Sequence, residues 1–220
     1  LGTSGTAFAV STTSTHDSSG AVAGFADASG RFLPLVCTLN AARIFDAATT
    51  ILGKTHDEVG ALALSSIPGA HGLTLLPYFE GERTPNRPTA TGVFSGMNIA
   101  NSNPADIARA MIEGMLSGLA DAVAALEDLG VDIKRVLIIG GAAKNPAVGQ
   151  IASALFGRPV LIPPAGEYVA DGAAKQAAWA LLGGATPPVW DLGKATHIEA
   201  AATPAVLEKY RTLRDATVNW

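Results

Sequence analysis

Residues Val136-Leu137-Ile138-Ile139 form an unbroken run of β-favouring apolar side chains that leads straight into Gly140-Gly141 and then, at Asn145-Pro146, into a helix start. Four apolar residues with no polar alternation predict a strand buried on both faces. A buried strand, two glycines and a capped helix in that order is how an α/β sheet ends on the side where ligands bind. Asn145 supplies the cap and Pro146 the first helical position, and Val148, Ile151, Ala152 and Leu155 share one face of a helix reaching Phe156. The order recurs downstream. A strand at Val160 to Ile162 precedes a small-residue helix, Asp171 to Leu182, suited to close packing. Pro187-Pro188 breaks the chain, and Thr203-Pro204 opens a last helix ending near Trp220.

Upstream the texture is different. Thr6 to Val10, Ala21 to Ala26 and Phe32 to Leu39 read as three strands separated by Ser-, Thr-, Asp- and Gly-rich turns, which predicts an antiparallel meander. From Asn40 the apolar spacing becomes helical through Ile44, Phe45, Ala48 and Leu52, with Asn40 as cap and Gly53 as stop. A weaker helix covers His56 to Ser65, and Leu73 to Met97 is too rich in Gly and Pro for regular structure. The strongest helix opens at Asn103-Pro104, carries Ile107, Met111, Met115, Leu119, Val123 and Leu126 in one row, and ends at Gly130. Strands first and alternating helix and strand afterwards give the fold class: α/β, a mixed sheet flanked by helices.

With 48% hydrophobic residues among 220, the chain can bury a proper core. Its net charge of −4 offers no basic face for phosphate backbones, so nucleic acid is not an expected partner. No apolar run is long enough to span a membrane, and the first residues lack the basic n-region of a signal peptide. Cys37 is the single cysteine, which excludes an intrachain disulfide and suits a cytoplasmic setting; in its strand it reads as a small core residue. The chain begins at Leu1 without Met, as the middle of something longer would.

Several segments invite a chemical reading. ATTILGKT at Ala48 to Thr55 has the loose form of a phosphate loop, but it lies in a helix whose C-terminal cap is Gly53, and that reading is rejected. Gly2-Thr3-Ser4-Gly5, ahead of a strand, can offer N–H and hydroxyl donors to an anion or be a plain turn. Gly140 and Gly141 remove side chains that would block a flat ring. Asn145 can cap a helix and touch a ligand at once, and Lys144 is either solvated or meets phosphate or ribose. His16-Asp17 and His56-Asp57 lie in polar stretches without a third ligand, so no metal site is expected. His71 and His197 lack a recognisable partner, and Glu82 and Arg83 read as a local ion pair shaping a loop.

Taken together these segments resemble the C-terminal half of the FGGY carbohydrate kinases, and among them the bacterial xylulokinases. The resemblance rests on GTSG at Gly2 to Gly5, LPYFEGERTP at Leu76 to Pro85, GVFSGM and DIARAMIEG between Gly92 and Gly114, IGGAAKNP at Ile139 to Pro146, and GEYVADGAAKQAAWAL at Gly166 to Leu181. It implies a ribonuclease H-like domain of the actin and hexokinase superfamily, with a core over residues 1–183 and an extension over 184–220. It also implies that Gly2, Thr3 and Ser4 contact ATP phosphates, that Gly140, Gly141 and Asn145 lie against the adenosine, and that Asn40 stands near a nucleotide-facing helix start. ATP and Mg²⁺ are the implied cofactors. The expected reaction is phosphorylation of D-xylulose to D-xylulose 5-phosphate, in xylose metabolism. The family's general-base Asp is expected upstream of Leu1, as are most sugar contacts, so no catalytic residue is named and the chain alone is expected to be inactive. Its exposed interdomain face predicts association, a homodimer being the simplest form. Kinases for glycerol, gluconate or ribulose, and a non-catalytic nucleotide-binding module, remain alternatives.

Overall fold

In the computed structural model, which describes residues 1–191 and 193–218, the chain begins with strands β1 (Gly5–Phe8), β2 (Ala23–Ala26) and β3 (Phe32–Thr38). Helices α1 (Ala42–Leu52) and α2 (His56–Ser65) follow, then strands β4 (Thr74–Leu76) and β5 (Val93–Ser95) and the long helix α3 (Pro104–Asp128). The second half carries β6 (Val136–Leu137), α4 (Pro146–Phe156), β7 (Val160–Ile162), α5 (Tyr168–Leu182), β8 (Thr196–Ile198) and α6 (Pro204–Ala216). Trp220, the expected end of the last helix, lies outside the described residues.

Helix α3 is the member around which the rest assembles. The Asn103 side chain accepts from the N–H groups of Ala105 and Asp106, both at 3.1 Å, and Pro104 needs no donor there. The expected row is buried at Met111, Met115, Leu119 and Leu126, but Ala108, Ala110, Ile112 and Leu116 are buried too. The helix is enclosed all round because α1, α2 and α4 cover one side while β1, β3 and β4 cover the other. Gly114 permits this: a Cβ there would run into the Leu75 carbonyl of β4.

The charged groups enclosed with α3 are matched, whereas the buried Ser117 hydroxyl finds no partner among the described residues. Arg109 Nε donates to Glu113 Oε1 at 2.5 Å, and Glu113 also accepts from Gly69 N–H at 3.0 and 3.2 Å. Burial pushes the Glu113 carboxyl up, and Arg109 and Gly69 oppose that rise. Asp106 accepts from Ser66 Oγ, from His71 Nδ1 at 2.9 Å and from Asn103 Nδ2 at 2.7 Å. His71, expected to lack a partner, therefore has one. Burial alone would raise the Asp106 carboxyl, but the donors from Ser66, His71 and Asn103 outweigh it and hold it below the usual 3.8. A carboxylate depressed on folding adds stability above its unfolded pKa and loses it as pH falls through the folded value. Asp106→Asn is therefore expected to cost about 1–3 kcal/mol at neutral pH and to flatten the acid limb of the stability curve, as read by denaturant melts between pH 2 and 7.

Several sequence expectations need correcting. The first three strands are antiparallel but not a meander: the order is β1-β3-β2, with β3 central. β3 is the longest of them, and the long Ser/Thr-rich connection lets β2 reach its far edge. Cys37 is not a core residue; it lies half-exposed on the outer face of this sheet, whereas Val36 and Thr38 face α3. The stretch from Leu73 to Met97 is not wholly irregular, since β4 and β5 pair across it. β6 is shorter than expected and Leu137 is 48% exposed, because β6 is an edge strand paired only with β7. That sheet is mixed: β6 and β7 run parallel, and β8, unforeseen in the sequence, runs antiparallel to β7. Helix α5 does not pack closely: none of its residues is buried, and even its large apolar side chains Val169, Leu181 and Leu182 are exposed.

Helix α6 does return to the body. Tyr210 is buried with Leu76 and Tyr78, and Arg211 and Arg214 donate to Asp121 of α3 at 2.6 and 2.5 Å.

Candidate nucleotide site

A cavity of about 370 Å³ opens where α1, the first turn of α2 and the Gly140–Asn145 segment meet. Ala42, Phe45 and Asp46 give it one wall, His56 and Asp57 a second, and Gly141, Ala142, Lys144 and Asn145 a third. Each wall is fixed by its own sequence. Gly53, at φ +62°, ends α1 as expected. Thr55 and Glu58 then start α2 with reciprocal caps: Thr55 Oγ1 accepts from Glu58 N–H at 3.3 Å, and the Glu58 carboxylate from Thr55 N–H at 2.9 Å. The abrupt turn brings His56 back over α1, where its Nε2–H donates to Asp46 Oδ1 at 2.8 Å and its ring meets Phe45 edge-on at 5.0 Å.

Asn145 joins two walls. Its Oδ1 accepts from Ala147 N–H at 3.0 Å, capping α4 as expected, and its Nδ2 donates to the His56 carbonyl at 2.9 Å. The side chain reaches α2 only because position 60 is glycine; a Cβ there would collide with the Asn145 amide. Gly60→Ala is therefore expected to cost about 1–3 kcal/mol by overpacking and to push Asn145 out of place. A melt would record the first effect and a nucleotide titration the second.

The two glycines have different jobs. Gly140, at φ +107°, adopts a backbone shape that other residues avoid, and a Cβ on it would strike the Leu1 carbonyl. Gly141 lines the cavity, and a Cβ there would meet nothing within 4 Å. Lys144 is exposed on the same wall, without an ion-pair partner among the described residues.

The Gly2-Thr3-Ser4 turn sits outside the cavity but is tied to its first wall, since Ala42 N–H donates to the Gly2 carbonyl at 3.0 Å. Thr3 and Ser4 are exposed, and their hydroxyls have no hydrogen-bond partner among the described residues. Asn40 is not the cap of α1: the cap position is Ala41, with no side-chain bond. Asn40 is instead buried at 2% exposure, its Nδ2 donating to the Gly81 carbonyl at 2.7 Å and to Glu82 Oε2 at 3.0 Å, and it is not part of the cavity lining. Nor do Glu82 and Arg83 form the expected ion pair; Glu82 takes the backbone N–H of Arg83 and holds the loop to the end of β3.

Sequence reasoning placed Phe45 in the core and His56 on the surface, and both hold, Phe45 being buried and His56 exposed; what it missed is that these two and Asp46 also line the cavity. The only available signal was that a helix-stopping glycine followed closely by a Thr-x-x-Glu start must fold α2 back on α1. Among the described residues no group of three or more His, Cys, Asp or Glu side chains can hold a metal, and no helix is long and apolar enough to cross a membrane.

This geometry has counterparts. The family profile of the FGGY carbohydrate kinases, C-terminal domain, matches residues 1–181. A xylulose kinase of Streptomyces coelicolor is 42% identical over 184 residues, which are 83% of this chain and 36% of that protein. Among solved structures, a xylulose kinase of Bifidobacterium adolescentis superposes with a TM-score of 0.88 at 49% identity, over 97% of this chain and 42% of the other. A glycerol kinase of Plasmodium falciparum solved with ADP shares the fold at a TM-score of 0.81 and 17% identity, over 100% of this chain and 46% of that one. The chain thus spans 36% of the length of the Streptomyces relative. The matched residues include both the Gly2 turn and the Gly140–Asn145 segment, and on that ground the chain belongs to the FGGY family of carbohydrate kinases, as its C-terminal domain.

Proposed function

We propose that this chain is the nucleotide-binding half of a xylulose kinase, an enzyme that moves the terminal phosphoryl group of ATP to D-xylulose. The observation that carries the reading is the cavity between Gly141-Ala142 and Ala42-Phe45, open at the glycine and held in shape by Asn145. A slot open at a glycine and walled by Ala42, Phe45 and Ala142 suits a purine base lying on the glycine. In this reading Gly140 shapes the turn, Gly141 receives the adenine, Asn145 and Lys144 stand by the ribose, and Gly2, Thr3 and Ser4 give donors to the phosphates. Asn40 acts from behind, holding the start of α1. Phosphoryl transfer is mostly positioning and charge stabilisation. The described residues offer Mg²⁺ no cage of their own, and magnesium arriving on the nucleotide's phosphates needs none.

Xylulose is favoured over other sugars by the identity with xylulose kinases, 42% and 49% in the two comparisons above. The reading carries with it a role in xylose metabolism, a cytoplasmic setting, self-association as a homodimer, a C-terminal extension at residues 184–220 whose β8 and α6 pack back on the body, and sugar contacts supplied by a preceding domain with its own general-base Asp. The chain alone is expected to bind nucleotide weakly and to release no ADP when xylulose is added. Robust xylulose-dependent ADP release by these 220 residues would refute that division of labour. The longer protein, assayed against xylulose, ribulose, glycerol and gluconate, is expected to turn over xylulose fastest.

A further inference from the structure

The loop after β4 is held to the body by a buried acid. Glu82 is 3% exposed, and its two oxygens are fully engaged: Oε1 accepts from Leu39 N–H at 2.6 Å and from Arg83 N–H at 2.7 Å, and Oε2 from Asn40 Nδ2 at 3.0 Å. Because one oxygen takes both amides, the backbone of Arg83 stands beside the C-terminal end of β3. That end is where the Gly2 turn is anchored, through the pairing of Gly5 with Thr38 and the bond from Ala42 N–H to the Gly2 carbonyl. Arg83 is therefore rooted next to the exposed turn.

The other arginines at this loop are spent. Arg43 pairs with Glu80, and Arg87 donates to the Arg214 carbonyl of α6 at 2.7 Å with its guanidinium over the Tyr78 ring. Arg83 is exposed, and its guanidinium has no anionic partner among the described residues. Glu82 does not serve as one; its oxygens accept from Leu39, Asn40 and the Arg83 backbone instead. The cost of burying that carboxylate is offset by the donors it takes from Leu39, Asn40 and Arg83, and those bonds also fix where the Arg83 backbone sits.

We infer that Arg83 is a phosphate-contacting residue of the nucleotide site, taking the terminal phosphates of ATP while the base lies at Gly141. This rests on the nucleotide reading given above. A guanidinium on a fixed backbone suits the role, because it is always charged and presents paired N–H donors to two oxygens of one phosphate. Glu82 is then a positioning residue: it touches no phosphate and acts through the backbone that it holds.

Calorimetric titration of the chain with ATP, ADP and adenosine, for wild type, Arg83→Ala and Arg83→Lys, tests the inference. Arg83→Ala is expected to weaken ATP by about tenfold or more, ADP by less and adenosine not at all. Arg83→Lys should recover part of the loss, and all three proteins should melt together because the side chain is exposed. Wild type and Arg83→Ala binding ATP equally would overturn the inference while leaving the nucleotide reading intact. So would an equal loss for adenosine, which would make the loop merely structural. A wild-type chain that takes up neither ATP nor adenosine would overturn the nucleotide reading, and the role of Arg83 with it.

Discussion

A chain carrying Gly141→Arg is expected to take up no nucleotide in a calorimetric titration and to melt where the wild type melts. The two halves of that expectation come from one fact: a Cβ at position 141 meets no atom within 4 Å. The backbone there does not need glycine's conformational freedom, so a larger residue introduces no strain. The space it enters is the cavity between Gly141 and Ala42, where a guanidinium on a long stem displaces whatever would lie flat. Gly140→Ala makes the contrast. It breaks a left-handed turn and pushes on Leu1, so it should lower the melting temperature first and affect nucleotide only through that damage. If Gly141→Arg bound nucleotide as tightly as wild type, the cavity would not be the base site.

The largest loss of stability is expected from Arg109→Ala. The Glu113 carboxylate, 4% exposed, would keep its bonds to Gly69 N–H but lose its only charge partner in the middle of the core. Stranding one member of a buried pair costs about 3–5 kcal/mol, far more than the pair contributes relative to apolar residues. The sign of the pH dependence follows from the Glu113 carboxyl, which burial already raises and which rises further without Arg109. A group raised on folding favours the folded state below its unfolded pKa and loses that advantage as pH climbs through the folded value. The penalty should therefore be full at pH 7 and smaller near pH 4, where the carboxyl takes up a proton. Urea melts of both proteins at the two pH values measure it, and a penalty that did not change would mean that Glu113 is already neutral in the wild type.

Local signals carried the sequence reading a long way. The Asn103-Pro104 and Asn145-Pro146 helix starts and the Gly53 stop are short-range chemistry, and each stands where the residues imply. The GVFSGM and DIARAMIEG segments were equally legible, but the acids of the latter, Asp106 and Glu113, prove to be internal braces that hold Ser66, His71 and Gly69. What escaped the sequence depends on partners far along the chain. Asn40 looked like a cap because it precedes a helix; its amide is instead taken by Gly81 and Glu82. His56 reads as surface and is exposed, but its meeting with Asp46 and Phe45 comes only from the reversal between α1 and α2. Strand order escaped for the same reason, since nothing local distinguishes a meander from a sheet with β3 in the middle.

The contact between Gly60 and Asn145 has a consequence for how sequences of this kind can diverge. The bare helix surface at 60 and the amide at 145 share one small volume, so neither position is free to drift by itself. A lineage that acquires a side chain at 60 must shrink the residue at 145 in the same interval, giving up the α4 cap and the tie to His56 together. The two positions should therefore vary as a pair, and the viable order of substitution is small residue first at 145, larger residue second at 60.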